Sequence, residues 1–127
     1  MDKFSFFDLR VYQEAKQLVK DVYMLLEKFP KCEVYAMGDQ LRRAVVSVPS
    51  NIAEGSGRSS LKEKVHFLEI AYGSLTETLC QLDIAHDIGY INDDEFSNEK
   101  ERIGIIGKQL SGLRASFQKQ LGTSAHR

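Results

Sequence analysis

Two carboxylate-x-x-histidine pairs are the residues in this sequence whose types and spacing come closest to a metal site. They are Glu63-Lys-Val-His66 and Asp83-Ile-Ala-His86. Di-iron helical bundles place a Glu-x-x-His pair on each of two helices, so that all ligands point inward. Here both pairs fall on one predicted helix, and twenty residues separate them by roughly 30 Å. The two pairs cannot share a metal pair, and we predict no metal site and no cofactor.

The two histidines lie on different sides of that helix. His86 falls on its apolar row near the C-terminus, where the negative end of the helix dipole favours a histidine. His66 falls on the side away from that row. A packing role is therefore the favoured interpretation of His86, and a metal-binding carboxylate/histidine bundle enzyme is the alternative function.

The sequence contains no pattern that predicts a catalytic nucleophile or a phosphate-binding loop. Cys32 and Cys80 lie far apart, and neither has a histidine at a local spacing that would activate the thiol. The segment GSGRSS lacks the lysine and the spacing of a P-loop. We therefore predict a protein that is not an enzyme. The cysteine pattern also fits a reducing compartment, and we expect a cytoplasmic location.

The segment RRAVVSVPSNIAEG, residues 42–55, combines a helical pattern with an internal proline. Because Pro49 cannot donate to the carbonyl of Val45 and its ring crowds that carbonyl, we predict a helix kinked at Pro49. Polar side chains then form a stripe opposite the apolar face, and we expect Arg43 and Glu54 to anchor a buried or inter-subunit polar network. The predicted assembly, partner or RNA contacts are Gln40, Arg42, Arg43, Ser47, Asn51, Glu54 and Arg58.

The charge of the whole chain gives no long-range field for nucleic acid, because 17 basic side chains oppose 18 acidic ones. RNA binding would depend on a local patch of arginines and last-helix cations gathered by the symmetry of an oligomer. No stretch approaches the 18 or so apolar residues of a membrane span. We therefore predict a protein that does not contact membranes.

Hydrophobic periodicity predicts four helices in a single domain over residues 1–121. The first helix carries an apolar stripe from Val11 to Phe29 and stops at Pro30, and the second runs from about Asp39 to Glu54. Gly55 and Gly57 are expected to adopt the left-handed geometry that often follows a helix.

The last two predicted helices have recognisable boundary signals. Ser60 and Glu63 fit a capping box at the start of the third, which should stop at Gly89. The fourth starts after a cap at Asn92 or Asp93 and ends near Leu121. Residues 122–127 are expected to be a disordered tail.

The third and fourth helices carry apolar rows whose members are seven residues apart, a heptad spacing that is typical of long helices packed at a shallow angle. This pattern predicts an all-α, antiparallel up-down four-helix bundle. The rows are Leu61, Leu68, Leu75 and Leu82; Val65, Tyr72, Leu79 and His86; and Phe96, Ile103, Leu110 and Phe117.

A second set of apolar residues does not fit the interior of a single bundle. Ile70, Ile84 and Ile88 lie opposite the leucine row of the third helix, and Val46 and Ala53 lie off the apolar stripe of the second. Apolar second faces on two helices favour an interface between subunits over isolated exposed side chains. The pattern therefore predicts a homo-oligomer.

Five elements in the same order carry a resemblance to a known family: FFDLRVYQEA, Phe29-Pro30, DQLRRAVVSVPSNIAEGSGR, FLEIAYGSLTET and DIGYI. The sequence resembles the four-helix-bundle family of 23S ribosomal RNA intervening-sequence proteins, also called S23 ribosomal proteins. That family is related to the accessory variability protein of diversity-generating retroelements. The resemblance implies an up-down bundle, a ring-shaped homopentamer and no enzymatic activity.

The resemblance also implies a binding role whose details are undefined. The retroelement relative uses a basic ring to engage nucleic acid and a reverse transcriptase, whereas this chain is slightly acidic. We therefore expect a non-catalytic, homo-oligomeric scaffold that binds RNA, another protein or both.

Overall fold

Four helices and two short 3₁₀ turns make up the described part of the chain. The computed structural model describes residues 4–125, with side chains to residue 123. The helices are α1 (Arg10–Leu26), α2 (Met37–Ser56), α3 (Leu61–Ile88) and α4 (Asp93–Ala125), and the turns are Ser5–Asp8 and Lys31–Glu33. No strand occurs within residues 4–125. The predicted all-α, antiparallel up-down bundle is confirmed.

Each helix packs against its neighbours in chain order, and α4 closes the bundle against α1. The predicted apolar stripe of α1 is buried along its whole length, from Val11 to Phe29. The largest fully buried side chains come from all four helices: Leu18, Leu41, Ile52, Leu82, Ile106 and Leu110. Each such side chain contributes roughly 1.5–3 kcal/mol, so one shared core stabilises all four helices.

The ends of α3 and α4 form as their boundary residues predict. Ser60 caps α3 by accepting a hydrogen bond from the backbone N–H of Glu63, and Gly89 ends it with φ of 96°. At the start of α4, the N–H of Glu95 donates to Asn92 Oδ1, and the N–H of Asn92 donates to Glu95 Oε1. This reciprocal pair satisfies two backbone groups that the first turn leaves free.

The end of α2 differs from its prediction. Among the described glycines only Gly89 has a positive φ, whereas Gly57 has φ of −85°. Gly55 is buried inside the helix, and a Cβ there would lie 2.9 Å from Phe67 Cβ on α3. Gly55 is therefore required by the close approach of α2 to α3 and not by left-handed geometry. The Lys64 ammonium donates to the Ser56 carbonyl at 3.1 Å and so caps α2.

Pro49 is buried within α2, which continues past it to Ser56. The kink at Pro49 stays a prediction. Helix α4 runs four residues beyond the predicted end at Leu121, through Ala125. The last two residues of the predicted tail, 126–127, lie outside the described residues.

One end of the bundle is tied together by contacts between its two joints. The Tyr90 hydroxyl, after α3, donates to Glu33 Oε2 at 2.7 Å, and its ring packs 5.1 Å from that of Phe29. The hydrogen bond to the Glu33 carboxylate raises the pKa of Tyr90. Lys28 forms an ion pair with Glu95 beside this contact. The α1–α2 and α3–α4 joints therefore form one connected surface.

Candidate assembly and binding surface

Ser47 and Asn51, two of the predicted contact residues, lie together at the junction of α2 and α3. Asn51 Nδ2 donates to Ser47 Oγ at 2.9 Å, and Ser74 Oγ from α3 donates to the same oxygen at 2.8 Å. The fully buried Thr78 hydroxyl donates to the Ser74 carbonyl at 2.8 Å. We call Ser47, Asn51, Ser74 and Thr78 the hydroxyl seam. Its groups are neutral, so it joins the two helices without burying a charge.

The two adjacent arginines of α2 have different surroundings. Arg42 Nη2 donates to the Val34 carbonyl at 2.9 Å, which fixes the joint between α1 and α2. Arg43 points into solvent with 79% of its side chain exposed, and it pairs with Asp39 at 2.9 Å one turn earlier. Arg42 is therefore a structural residue, whereas Arg43 is accessible to a partner.

Glu54 and Arg58 form a separate cluster at the other end of α2. Arg58 pairs with Glu54, lies 3.8 Å from Glu63 and has its guanidinium carbon 4.9 Å from the centre of the Phe67 ring. Glu54 is 54% exposed and is not linked to Arg43 within the described residues. Arg43 and Glu54 therefore do not anchor a buried network within one chain, because each is exposed and makes its own local ion pair. An inter-subunit network at these residues stays a prediction.

The isoleucines that the sequence places on a second face of α3 are exposed. Ile70, Ile84 and Ile88 retain 37%, 44% and 55% of their accessible surface. We call these three residues the outer isoleucine face. Together with Ser74, Glu77 and Gln81 they recur at alternating spacings of four and three, so they occupy one side of α3. Ser74 belongs to the hydroxyl seam, so this side of α3 borders α2.

Gln81 lies on the same side of α3 as the outer isoleucine face, and only one of its two amide groups has a hydrogen-bond partner. Its side chain is 8% exposed and its Nε2 donates to Glu77 Oε1 at 3.2 Å, but its buried Oε1 has no partner within the described residues. A buried amide oxygen without a donor costs about 1–3 kcal/mol.

On α2, Val46 is also exposed and Gln40 faces solvent.

The carboxylates beside His86 come close together at the end of α3. Potential ligand atoms of Asp83, His86 and Asp87 lie within 4.8 Å of one another, with both aspartates exposed. The imidazole stacks on Phe96 at 4.9 Å and its Nε2 contacts the Asp93 carboxylate. His66 is exposed, twenty residues away on the same helix. His86 thus packs the α3–α4 joint, as its position on the apolar row indicates.

A group of charged side chains between α1 and α4 was not predicted. Arg102 Nη1 donates to Glu14 Oε2 at 2.9 Å, and its Nε donates to Asp21 Oδ2 at 3.1 Å. Glu99 is only 7% exposed, and its buried Oε1 has no partner within the described residues. Burial and a hydrogen bond to Asp21 raise the pKa of Glu99 to about 8. We call Glu14, Asp21, Glu99 and Arg102 the carboxylate seam.

A sequence signal for Glu99 exists, because it stands three residues after Phe96 and four before Ile103 on the core-facing row. A glutamate at such a position must be neutralised or paired when it is buried. Its partner Asp21 lies 78 residues earlier, so the sequence alone does not supply the pairing.

A family model for the 23S rRNA-intervening sequence protein matches residues 7–112. The chain belongs to this family. A crystal structure of a protein of unknown function from the S23 ribosomal protein family of Bacteroides thetaiotaomicron is similar, with a TM-score of 0.76 and 20% identity. The match covers 82% of this chain and 97% of the other, and at this identity it shows a shared fold. No curated protein sequence matches the chain.

The family assignment confirms the resemblance carried by the central segment of α2. Within the described residues, no helix combines the length and the apolar character needed to cross a membrane.

Proposed function

We propose that this chain is a non-catalytic scaffold that assembles into a homo-oligomer through the side of α2 and α3 bearing the outer isoleucine face. The supporting observation is that Ile70, Ile84 and Ile88 share one side of α3 while exposed. Burying them against a second copy removes apolar surface from water, which favours association by roughly 25 cal/mol per Å². The family resemblance favours five copies.

The polar residues on the same side fit a role in assembly. Gln81 Oε1 is buried without a donor, so a neighbouring copy that supplied one would remove an energetic penalty. Arg43 is exposed one helix away and can pair across an interface. Neutral groups of the hydroxyl seam hold α2 and α3 together, which gives the interface a fixed two-helix platform.

Sedimentation equilibrium of the purified chain and of Ile84→Glu tests this assembly. We expect the wild-type chain to have the mass of five copies at micromolar concentration and Ile84→Glu to shift to a single chain. Ile105→Glu is the matched control, because Ile105 on α4 is 43% exposed against 44% for Ile84. A wild-type monomer, or equal dissociation by both variants, would contradict the proposal.

RNA binding is the second candidate function, and the family name, which refers to ribosomal RNA, favours it. A protein adaptor is the competing role. Affinity capture with the intact chain, with and without ribonuclease, separates the two roles. RNA binding predicts captured RNA and the loss of co-purifying proteins after ribonuclease treatment, whereas protein partners that persist support the adaptor.

Both cysteines are free and exposed, which fits the cytoplasmic location that we propose.

A further inference from the structure

A groove of about 470 Å³ runs between α3 and α4, on another side of the bundle from the hydroxyl seam. Its floor is apolar and its rim carries lysines. It is lined by Tyr72 and Leu75 from α3 and by Lys100, Gly104, Gly107 and Lys108 from α4, among others. A depression that continues from it shares Tyr72 and Ser111 and adds Arg114. We call this surface the Tyr72 groove.

The groove exists because α4 presents glycines opposite Tyr72. A Cβ at Gly107 would lie 3.6 Å from the Tyr72 ring, and a Cβ at Gly104 would meet nothing within 4 Å. The core position that the apolar row of α3 predicts for Tyr72 is wrong, since 47% of Tyr72 is exposed. Because positions 104 and 107 carry no side chains, the groove beside the Tyr72 ring stays open.

The cations around the groove are available to an anion. Neither Lys100 nor Lys108 takes part in an ion pair among residues 4–123. Arg114 lies 3.5 Å from Glu69, and both side chains are about half exposed, so this pair is weak. Lys100 and Arg114 are fourteen residues apart on α4, which places three cations along roughly 21 Å.

We propose that the Tyr72 groove binds single-stranded RNA, with phosphates at Lys100, Lys108 and Arg114 and a base stacked on Tyr72. Two unpaired lysines and a weakly paired arginine along α4, together with an exposed aromatic ring, supply the two elements that sequence-tolerant single-strand binding uses, a cationic track and a stacking platform. This proposal rests on RNA binding as a function and moves the site from the α2 arginines to α4. Arg42 and Arg58 are engaged by Val34, Glu54 and Glu63, so they are poorer phosphate contacts.

Fluorescence anisotropy with a labelled mixed-sequence single-stranded RNA of about 12 nucleotides tests the groove. Lys108→Ala should weaken binding and lower the magnitude of the salt slope by about one, because one phosphate contact is lost. Tyr72→Ala should weaken binding roughly 5- to 150-fold with an unchanged salt slope, since a stacked base contributes about 1–3 kcal/mol. A smaller salt slope in Lys108→Ala and an unchanged slope in Tyr72→Ala would distinguish the phosphate contact from the stacked base.

Two α1 residues provide matched controls. Tyr23 is 45% exposed against 47% for Tyr72, and Lys20 is an exposed lysine on the same helix. Tyr23→Ala and Lys20→Ala should bind like the wild-type chain. Equal effects at both tyrosines, or no effect at Tyr72, would overturn the stacking contact.

A third variant tests the cavity without changing charge. Gly104→Leu should fill the groove and weaken RNA binding, because nothing lies within 4 Å of the new Cβ to push the side chain away. Gly112→Leu, at another open glycine of α4, should leave binding unchanged. Unfolding midpoints of both variants confirm that the folded state is retained.

The outcomes separate failure of the groove from failure of RNA binding. If the wild-type chain binds RNA, the groove variants bind equally well and Arg43→Ala does not bind, the groove is overturned while RNA binding stands. If the wild-type chain does not bind RNA at low salt, RNA binding itself is overturned. A change in assembly mass rather than RNA affinity in Lys108→Ala would assign the groove to a second copy instead.

Discussion

Midway along their lengths, α2 and α3 are joined by hydroxyl and amide groups that stay neutral, whereas α1 and α4 meet across charged side chains. In the hydroxyl seam, Ser47 accepts from both Asn51 and Ser74. In the carboxylate seam, Arg102 bridges Glu14 and Asp21 beside the buried Glu99. The first seam has no titratable group between pH 5 and 8, while the second does. We therefore expect pH to change the stability that the carboxylate seam contributes and to leave the contribution of the hydroxyl seam unchanged.

Gly55→Ala should have the largest effect on the α2–α3 side. A Cβ would lie 2.9 Å from Phe67 Cβ, so α2 and α3 must move apart. Overpacking of this kind costs about 1–3 kcal/mol, and the better helix propensity of alanine returns up to about 1 kcal/mol. We expect a net loss of about 1–2 kcal/mol in urea unfolding at one fixed protein concentration.

Gly112→Ala is the control for this prediction, because nothing lies within 4 Å of its added Cβ. It should stabilise α4 by up to about 1 kcal/mol. Equal stability of Gly55→Ala and Gly112→Ala would show that the contact between Gly55 and Phe67 does not set the distance between α2 and α3.

Much of the fold could be predicted because its signals are local. Apolar periodicity gave the four helices, and Ser60, Gly89 and Asn92 marked their ends as the structure has them. Gly55 was misread because the same residue type serves a left-handed turn and a close helix contact, and only packing against Phe67 decides between them.

The candidate site was less predictable because it depends on which side chains face each other across helices. Ser47 and Asn51 lie on adjacent turns of α2, so helical periodicity predicts that they are neighbours, and they form a hydrogen bond. Their partner Ser74 lies on α3, which the periodicity of α2 does not indicate. Tyr72 fits a core row by spacing, yet its exposure depends on glycines of α4 at the opposite register. Periodicity on one helix does not report what the neighbouring helix lacks.

Glu99→Gln should change how stability depends on pH. The folded chain holds the proton of Glu99 up to about pH 8, whereas the unfolded chain loses it near 4.5. Between these values the folded state binds more protons, so wild-type stability falls as pH rises and levels off above about 8. Facing groups are Asp21 and Glu14 from α1 and Arg102 from α4.

Glutamine can donate to Asp21 without carrying a charge, so the variant should gain about 1–3 kcal/mol over the wild-type chain at pH 8 and far less at pH 5. Thermal unfolding at several pH values measures the difference. A constant difference from pH 5 to 8 would show that Glu99 is ionised in the folded chain.

Ser74→Ala should have the smallest effect and should not depend on pH. It removes the donor to Ser47 Oγ, while Ser47 still accepts from Asn51, so the loss is one neutral hydrogen bond of about 0.5–1.5 kcal/mol. Ser97→Ala, at an exposed position of α4, corrects for the helix propensity of alanine. Combining Ser74→Ala with Ser47→Ala should lose less than the sum of the single variants, because both remove the same bond. A cost that changed between pH 5 and 8 would mean that the hydroxyl seam is coupled to a charged group, and the two sides of the bundle would then not be independent.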